Sequence, residues 1–264
     1  MARCVVLMYH VVDLPRSGSE ARFCCTPAMF AAQMQHLADD GWRVVALSEL
    51  VAALSAGREP PDRSVVITFD DGTACTREHA MPVLQQHRFP ACVFMVSALV
   101  AGRNEWVASQ GEPVRGMLDP TQLRELDAGG IEVGSHTVNH ARLAKIPLPN
   151  AIDEIRRSRE DLAQLLGKPV RFFAYPYGSF NPAVRDAVQD AGYEGACSTR
   201  WGRNGAGADP FAIKRVEVLG SDSLWQFRLK LHSGTNDMPP WSVPRAAVKQ
   251  ALQGLGVIRR APTP

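Results

Sequence analysis

SVVITFDDGT, residues 64–73, decides the fold. A continuous β-branched and apolar run followed at once by polar residues reads as a strand covered on both faces, as in a parallel sheet buried under helices. The acid pair Asp70 and Asp71 then falls at the carboxyl end of that strand, where parallel sheets assemble their sites. Taken alone, the pair has two readings. It can cap the N–H groups of a following helix, or it can hold a cation, because adjacent carboxylates resist ionising together without a compensating positive charge.

Strands and helices alternate outward from this stretch, with no internal repeat and no low-complexity tract, the pattern of a parallel α/β fold. Upstream, CVVLMYHVV (4–12) and WRVVAL (42–47) read as strands. Between them Thr26 is an N-cap and Pro27 opens a helix that stops at Gly41, and SELVAALSAG (48–57) is a short helix. Downstream come a helix around EHAMPVLQQH (78–87), the strand ACVFMV (91–96), a helix over PTQLRELDAGG (120–130) and the strand IEVGS (131–135). NAIDEIRRSREDLAQLLG (150–167) follows as a long amphipathic helix whose charges read as a wet face. RFFAYPYG is strand then turn, Asn181 and Pro182 start another helix, and YEGACST and FAIKRVEV are the last strands. About seven or eight strands are compatible with an incomplete barrel.

The polar segment between Ser97 and Asp119 is an insertion, and residues 101–118, with Trp106, are candidates to line a groove. Beyond Gly220 the composition shifts to basic and apolar residues mixed, then to prolines and a second helix-like stretch. This divides the chain into a catalytic barrel over 1–220 and a helical extension over 221–264, expected to pack on the barrel. A membrane surface or an assembly partner is the second reading of that extension.

With 29 Lys and Arg against 27 Asp and Glu, the formal charge of +2 gives no electrostatic reason for a nucleic-acid partner. The six cysteines lack metal-ligand spacing and read as buried thiols of a reducing compartment, with adjacent Cys24 and Cys25 as loop residues. The amino-terminal apolar run meets His10 and Asp13 in place of a small-residue cleavage site, so no signal peptide is read and a cytoplasmic location is expected.

The second chemical motif is GSHTVNH (134–140), with His136 and His140 four apart after a buried strand. Two imidazoles and a carboxylate from another strand end make a three-ligand site for a divalent metal with open positions. Zinc is the default for such a set, and nickel, cobalt or iron suit similar ligands.

TFDDG, SHTVNH and then YPYGSFNPAV together closely resemble the polysaccharide deacetylases, the NodB-homology group of carbohydrate esterase family 4. The resemblance spans residues 5 to about 218, and the amino-terminal MYH is similar to a subgroup that includes poly-N-acetylglucosamine deacetylases. It implies a deformed (β/α)7–8 barrel and metal-dependent removal of acetyl groups from N-acetylated sugars. Residue by residue it implies Asp71, His136 and His140 as metal ligands and Asp70 as general base. A backbone N–H near Tyr177 would serve the oxyanion, and Tyr175 and Tyr177 would line the sugar site. Many relatives carry an arginine where this chain has Ala174, so the cation steadying the base is sought elsewhere, and Arg215 is the candidate. For the general acid the late His232 in LKLHSG fits superficially, but the subgroup resemblance favours His10, with a buried structural His10 as the competing reading. Two rival functions remain: hydrolysis of a small non-sugar amide at the same metal site, and a catalytically silent carbohydrate-binding barrel.

Overall fold

The apolar runs lie side by side in one direction in the computed structural model, which describes residues 4–237. The chain begins with β1 (Val5–Tyr9), then β2 (Val11–Val12) and β3 (Cys24–Cys25). Helix α1 (Pro27–Asp39) starts where Thr26 Oγ1 accepts from the Met29 N–H at 3.2 Å. Next come β4 (Arg43–Val44), α2 (Leu47–Ser55), β5 (Ser64–Phe69), α3 (Met81–His87) and β6 (Ala91–Met95). Asp119 and Gln122 form a reciprocal capping box at the start of α4 (Pro120–Ala128), which leads into β7 (Ile131–Ser135). The long α5 (Leu148–Leu166), β8 (Phe172–Ala174), α6 (Pro182–Asp190) capped by Asn181, β9 (Gly195–Cys197), β10 (Val216–Glu217) and α7 (Leu224–Ser233) follow within the described residues.

Eight strands form one sheet in the order β10-β1-β5-β6-β7-β8-β9, with β4 also beside β5, and each of its strand pairs is parallel. The sheet curls until Ile213 bridges Cys197 while Val216 pairs with Leu7, so the segment before β10 reaches both edges. This is the expected deformed barrel.

Side chains alternate between two cores, as the twofold strand period requires. Val5, Leu7, Val65, Ile67, Val93 and Met95 pack with residues of α1, α4, α5 and α6. Cys4, Val6, Val66, Cys92, Phe94 and Cys197 point the other way and are plugged by Leu47, Leu50, Val51 and Leu54 of α2. Along that second face β5 turns from Val66 to Thr68 and then Asp70, so the barrel interior changes from apolar to polar toward the strand ends.

Three local expectations need correction. The run CVVLMYHVV does not form one strand: it breaks at His10, because Tyr9 O accepts from Asp70 N whereas Val11 N turns to Phe23 O. Cys24 and Cys25 are not loop residues but a short strand paired with Val11 and Val12, both buried. FAIKRVEV yields only a two-residue ladder, since Arg215 N bonds to Arg200 O instead of continuing it.

All six thiols are free and buried, and burial pushes Cys4, Cys24, Cys25 and Cys197 up to about 12. Helix α7 buries Phe227 and Leu231 in the main core, and its Lys230 pairs with Asp222 and donates to Glu217 O at 2.8 Å. The second helix-like stretch expected after it lies outside the described residues, as do the partner contacts read into it. Among the described residues no helix is long and apolar enough to cross a membrane.

Candidate metal and catalytic site

The acid pair, the histidines and Tyr177 all lie just past strand ends. Asp70 and Asp71 follow β5, His136 follows β7 with His140 one turn later, and Tyr177 follows β8. The backbone there is bent sharply: Asp71, Thr137, His140 and Tyr177 are four of the seven non-glycine residues with positive φ among those described. Strained backbone of this kind gathers at functional sites. Gly72 extends the bend at φ +81°, and a Cβ on it would lie 2.2 Å from the Met95 sulfur.

Asp71 Oδ1 lies 3.6 Å from His136 Nε2 and 3.3 Å from His140 Nε2, and the three ligand atoms all fall within 4.8 Å of one another. The far nitrogen of each ring is engaged: His136 Nδ1 lies 2.8 Å from Ala174 O and His140 Nδ1 lies 3.0 Å from the Tyr177 hydroxyl. A carbonyl only accepts, so His136 Nδ1 donates and the Nε2 lone pair of the neutral ring faces Asp71. Burial pushes His136 down to about 4, which keeps that ring neutral. Burial alone would raise Asp71, but His140 and His10 outweigh it and hold the carboxyl well below its ordinary range. Two imidazoles and one ionised carboxylate, open toward a cleft, fit a catalytic divalent metal.

Asp70 is 3% exposed and faces Arg215, which is fully buried. The guanidinium bonds both carboxylate oxygens, at 2.6 and 2.7 Å, and is itself fixed by Ser198 O at 2.9 Å and Thr68 Oγ1 at 3.2 Å. Burial would raise the Asp70 carboxyl, yet Arg215 holds it below the usual carboxylate range. A bidentate pair also fixes the plane of the carboxylate, which decides where its oxygens point.

A cleft of about 400 Å³ opens over these groups and is lined by His10, Asp70, Asp71, His136, His140 and Tyr177. The polar insertion supplies its wall: Asn104, Trp106, Val107, Gln110, Glu112 and Pro113 all face it. Trp106 stacks on His140 with ring centroids 4.4 Å apart. His10 meets Phe23 edge-on, and its Nδ1 is buried without a partner. The Arg142 guanidinium sits 3.5 Å over the Tyr177 ring.

Tyr175 and His232 lie elsewhere. Tyr175 is fully buried, stacks on Phe180 and donates to Phe211 O, because the strand alternation turns it into the main core and away from the cleft. His232 is exposed on α7 against Trp42, where it lines a separate shallow surface cleft with His36.

Sequence reading missed Arg115. It lies buried within the polar insertion and bonds Glu20, Asp13 at 2.5 Å and Leu14 O at 2.9 Å, tying the insertion to the loop before α1. No local pattern marks it, because its partners lie some hundred positions away. Burial would raise Glu20 and Asp13, but Arg115 holds both carboxyls below their ordinary values. Their contribution to stability is therefore complete above the unfolded carboxylate range and is lost as pH falls through the folded values. Arg115→Met is expected to cost about 3–5 kcal/mol at neutral pH by stranding Glu20. Thermal melts at pH 7 and pH 3 check this: the gap between variant and wild type shrinks in acid, whereas a gap independent of pH would refute the assignment.

The polysaccharide deacetylase family model matches residues 57–196, which contain the acid pair and both histidines. The chain belongs to this family. Among solved members, IcaB from Ammonifex degensii is 29% identical with a TM-score of 0.75 over 88% of this chain and 98% of its own. A polysaccharide deacetylase from Bacillus cereus is 28% identical with a TM-score of 0.73, covering 87% of this chain and 69% of that one. The poly-β-1,6-N-acetyl-D-glucosamine N-deacetylase of Staphylococcus aureus is 23% identical over 224 residues, 81% of this chain and 74% of that protein. The parallel α/β fold read from strand periodicity is thus a polysaccharide deacetylase barrel.

Proposed function

We propose that this polysaccharide deacetylase hydrolyses the N-acetyl group of N-acetylhexosamine units in a cell-surface glycan or its precursor, using a divalent metal, with zinc the default. The reading is carried by Asp71, His136 and His140 converging beside the Asp70–Arg215 pair in one cleft. It is supported by likeness to IcaB and to the staphylococcal poly-β-1,6-N-acetyl-D-glucosamine N-deacetylase. The unpaired thiols support a cytoplasmic setting.

A divalent cation on Asp71, His136 and His140 would supply Lewis-acid polarisation of the acyl oxygen and acidify water. Asp70 is the general base: it takes the proton of the attacking water at the carboxylate that Arg215 orients. The backbone N–H at Tyr177 donates to the oxyanion, and Trp106 and the Tyr177 ring flank the acetylated sugar. His10, whose Nδ1 has no protein partner, returns a proton to the departing amine.

The test is acetate release from a panel of N-acetylhexosamine oligomers and from small cyclic amides, with metal content measured on the same preparation. The expected result is acetate from the oligomers, lost on chelation and restored by added zinc. Stoichiometric metal with ring opening of the amides and no acetate from any sugar would overturn it.

A further inference from the structure

The charges of α5, which the sequence presents as a wet face, do not all face water. Glu154 Oε2 accepts from the Val138 and Asn139 N–H groups, each at 2.9 Å, and its Oε1 accepts from the Asn139 side-chain amide at 2.7 Å. These are residues of the turn that joins His136 to His140. The opposite side of that turn is held too: Thr137 O and Val138 O accept from Ser97 N and Ala98 N at 3.0 and 3.1 Å. One turn along α5 Ser158 meets Ser135 Oγ at 2.6 Å, and further on Asp161 accepts from Ser97 Oγ at 3.0 Å. Positions 154, 158 and 161 share one helix face. That face therefore grips the end of β7, the histidine turn and the segment after β6.

The turn needs this grip. Thr137 and His140 both have positive φ, which costs a β-branched or bulky residue unless its surroundings enforce it. Two adjacent N–H groups aimed at one carboxylate form a small anion nest, and an ionised acceptor bonds them more strongly than a neutral one.

We propose that Glu154 is a positioning residue that preorganises the His136–His140 turn, so that both imidazoles stand ready for the metal before it binds. This rests on the metal-dependent reading above. Without the carboxylate the turn relaxes toward ordinary φ values, and His140, at its far end, leaves Asp71.

The test uses the full chain stripped of metal and then titrated with zinc against a chromophoric chelator, with thermal melts of the metal-free proteins alongside. Glu154→Gln keeps the shape but removes the charge that strengthens both backbone N–H bonds, and it sets an amide donor against the Asn139 side-chain amide. It is expected to weaken zinc binding by about 10- to 100-fold, the range found when groups supporting metal ligands are altered. Asn139→Ala, which removes only the side-chain bond, is expected to fall between this variant and wild type. Asp153→Asn on the exposed side of the same helix is expected to leave affinity unchanged. Equal zinc affinity in Glu154→Gln and wild type would overturn the proposal, as would a loss matched by Asp153→Asn. Should the Gln variant unfold, the Asn139→Ala affinity decides alone. Wild type that binds no zinc would instead overturn the metal reading itself.

Discussion

Asp70→Asn is expected to reduce kcat for acetate release by about 10³-fold, within the span that a positioned general base contributes. The substitution keeps the size of the side chain and one of its two hydrogen bonds from Arg215 while removing the ability to take a proton. Asp71, His136 and His140 are untouched, so bound metal and KM are expected to stay close to wild type. The fully buried Arg215 loses its counter-ion, so the melting temperature falls as well, and turnover must be normalised to folded protein. Metal analysis, circular dichroism and steady-state kinetics on one preparation separate these effects. Turnover within tenfold of wild type would remove Asp70 from the mechanism. A kcat loss accompanied by lost metal would mean that Asp70 supports the ligands instead.

The parts of the fold visible from sequence are those set by local chemistry. The buried run at 64–69 can only be a doubly covered strand, and Thr26–Pro27 and Asn181–Pro182 start helices because a capping oxygen precedes a residue with no N–H to satisfy. The acid pair and the histidine pair were legible because both directly follow apolar strands. What stayed hidden depends on distant partners. His10 interrupts its strand because Asp70 and Phe23 claim the backbone on either side of it. Tyr175 and Tyr177 share one short turn, yet alternation sends the first into the core and the positive φ of the second turns it toward the cleft. Glu154 sits in a helix that also carries exposed pairs such as Asp153 with Arg157. Composition cannot distinguish it, because only the fold brings the histidine turn over that one position.

The second large effect is expected from Arg215→Met. Arg215 lies just before β10, which makes only a two-residue ladder with β1, so four hydrogen bonds from its guanidinium, two to Asp70 and one each to Ser198 O and Thr68 Oγ1, fasten the seam of the barrel. Methionine fills similar volume but donates nothing. Asp70, only 3% exposed, is left as an uncompensated charge, and breaking such a pair from one side costs about 3–5 kcal/mol. Arg215→Lys returns the charge without the planar fork, so it is expected to recover part of the melting temperature but little of kcat, because one ammonium does not fix the carboxylate plane. The decisive comparison is the double variant Asp70→Asn with Arg215→Met. Removing both charges abolishes the stranded carboxylate, so the double variant is expected to melt above Arg215→Met alone while remaining inactive. This is the non-additivity that two groups in direct contact display. If the double variant instead melts lower, by the sum of the two single losses, the ion pair is not what closes the barrel around its base.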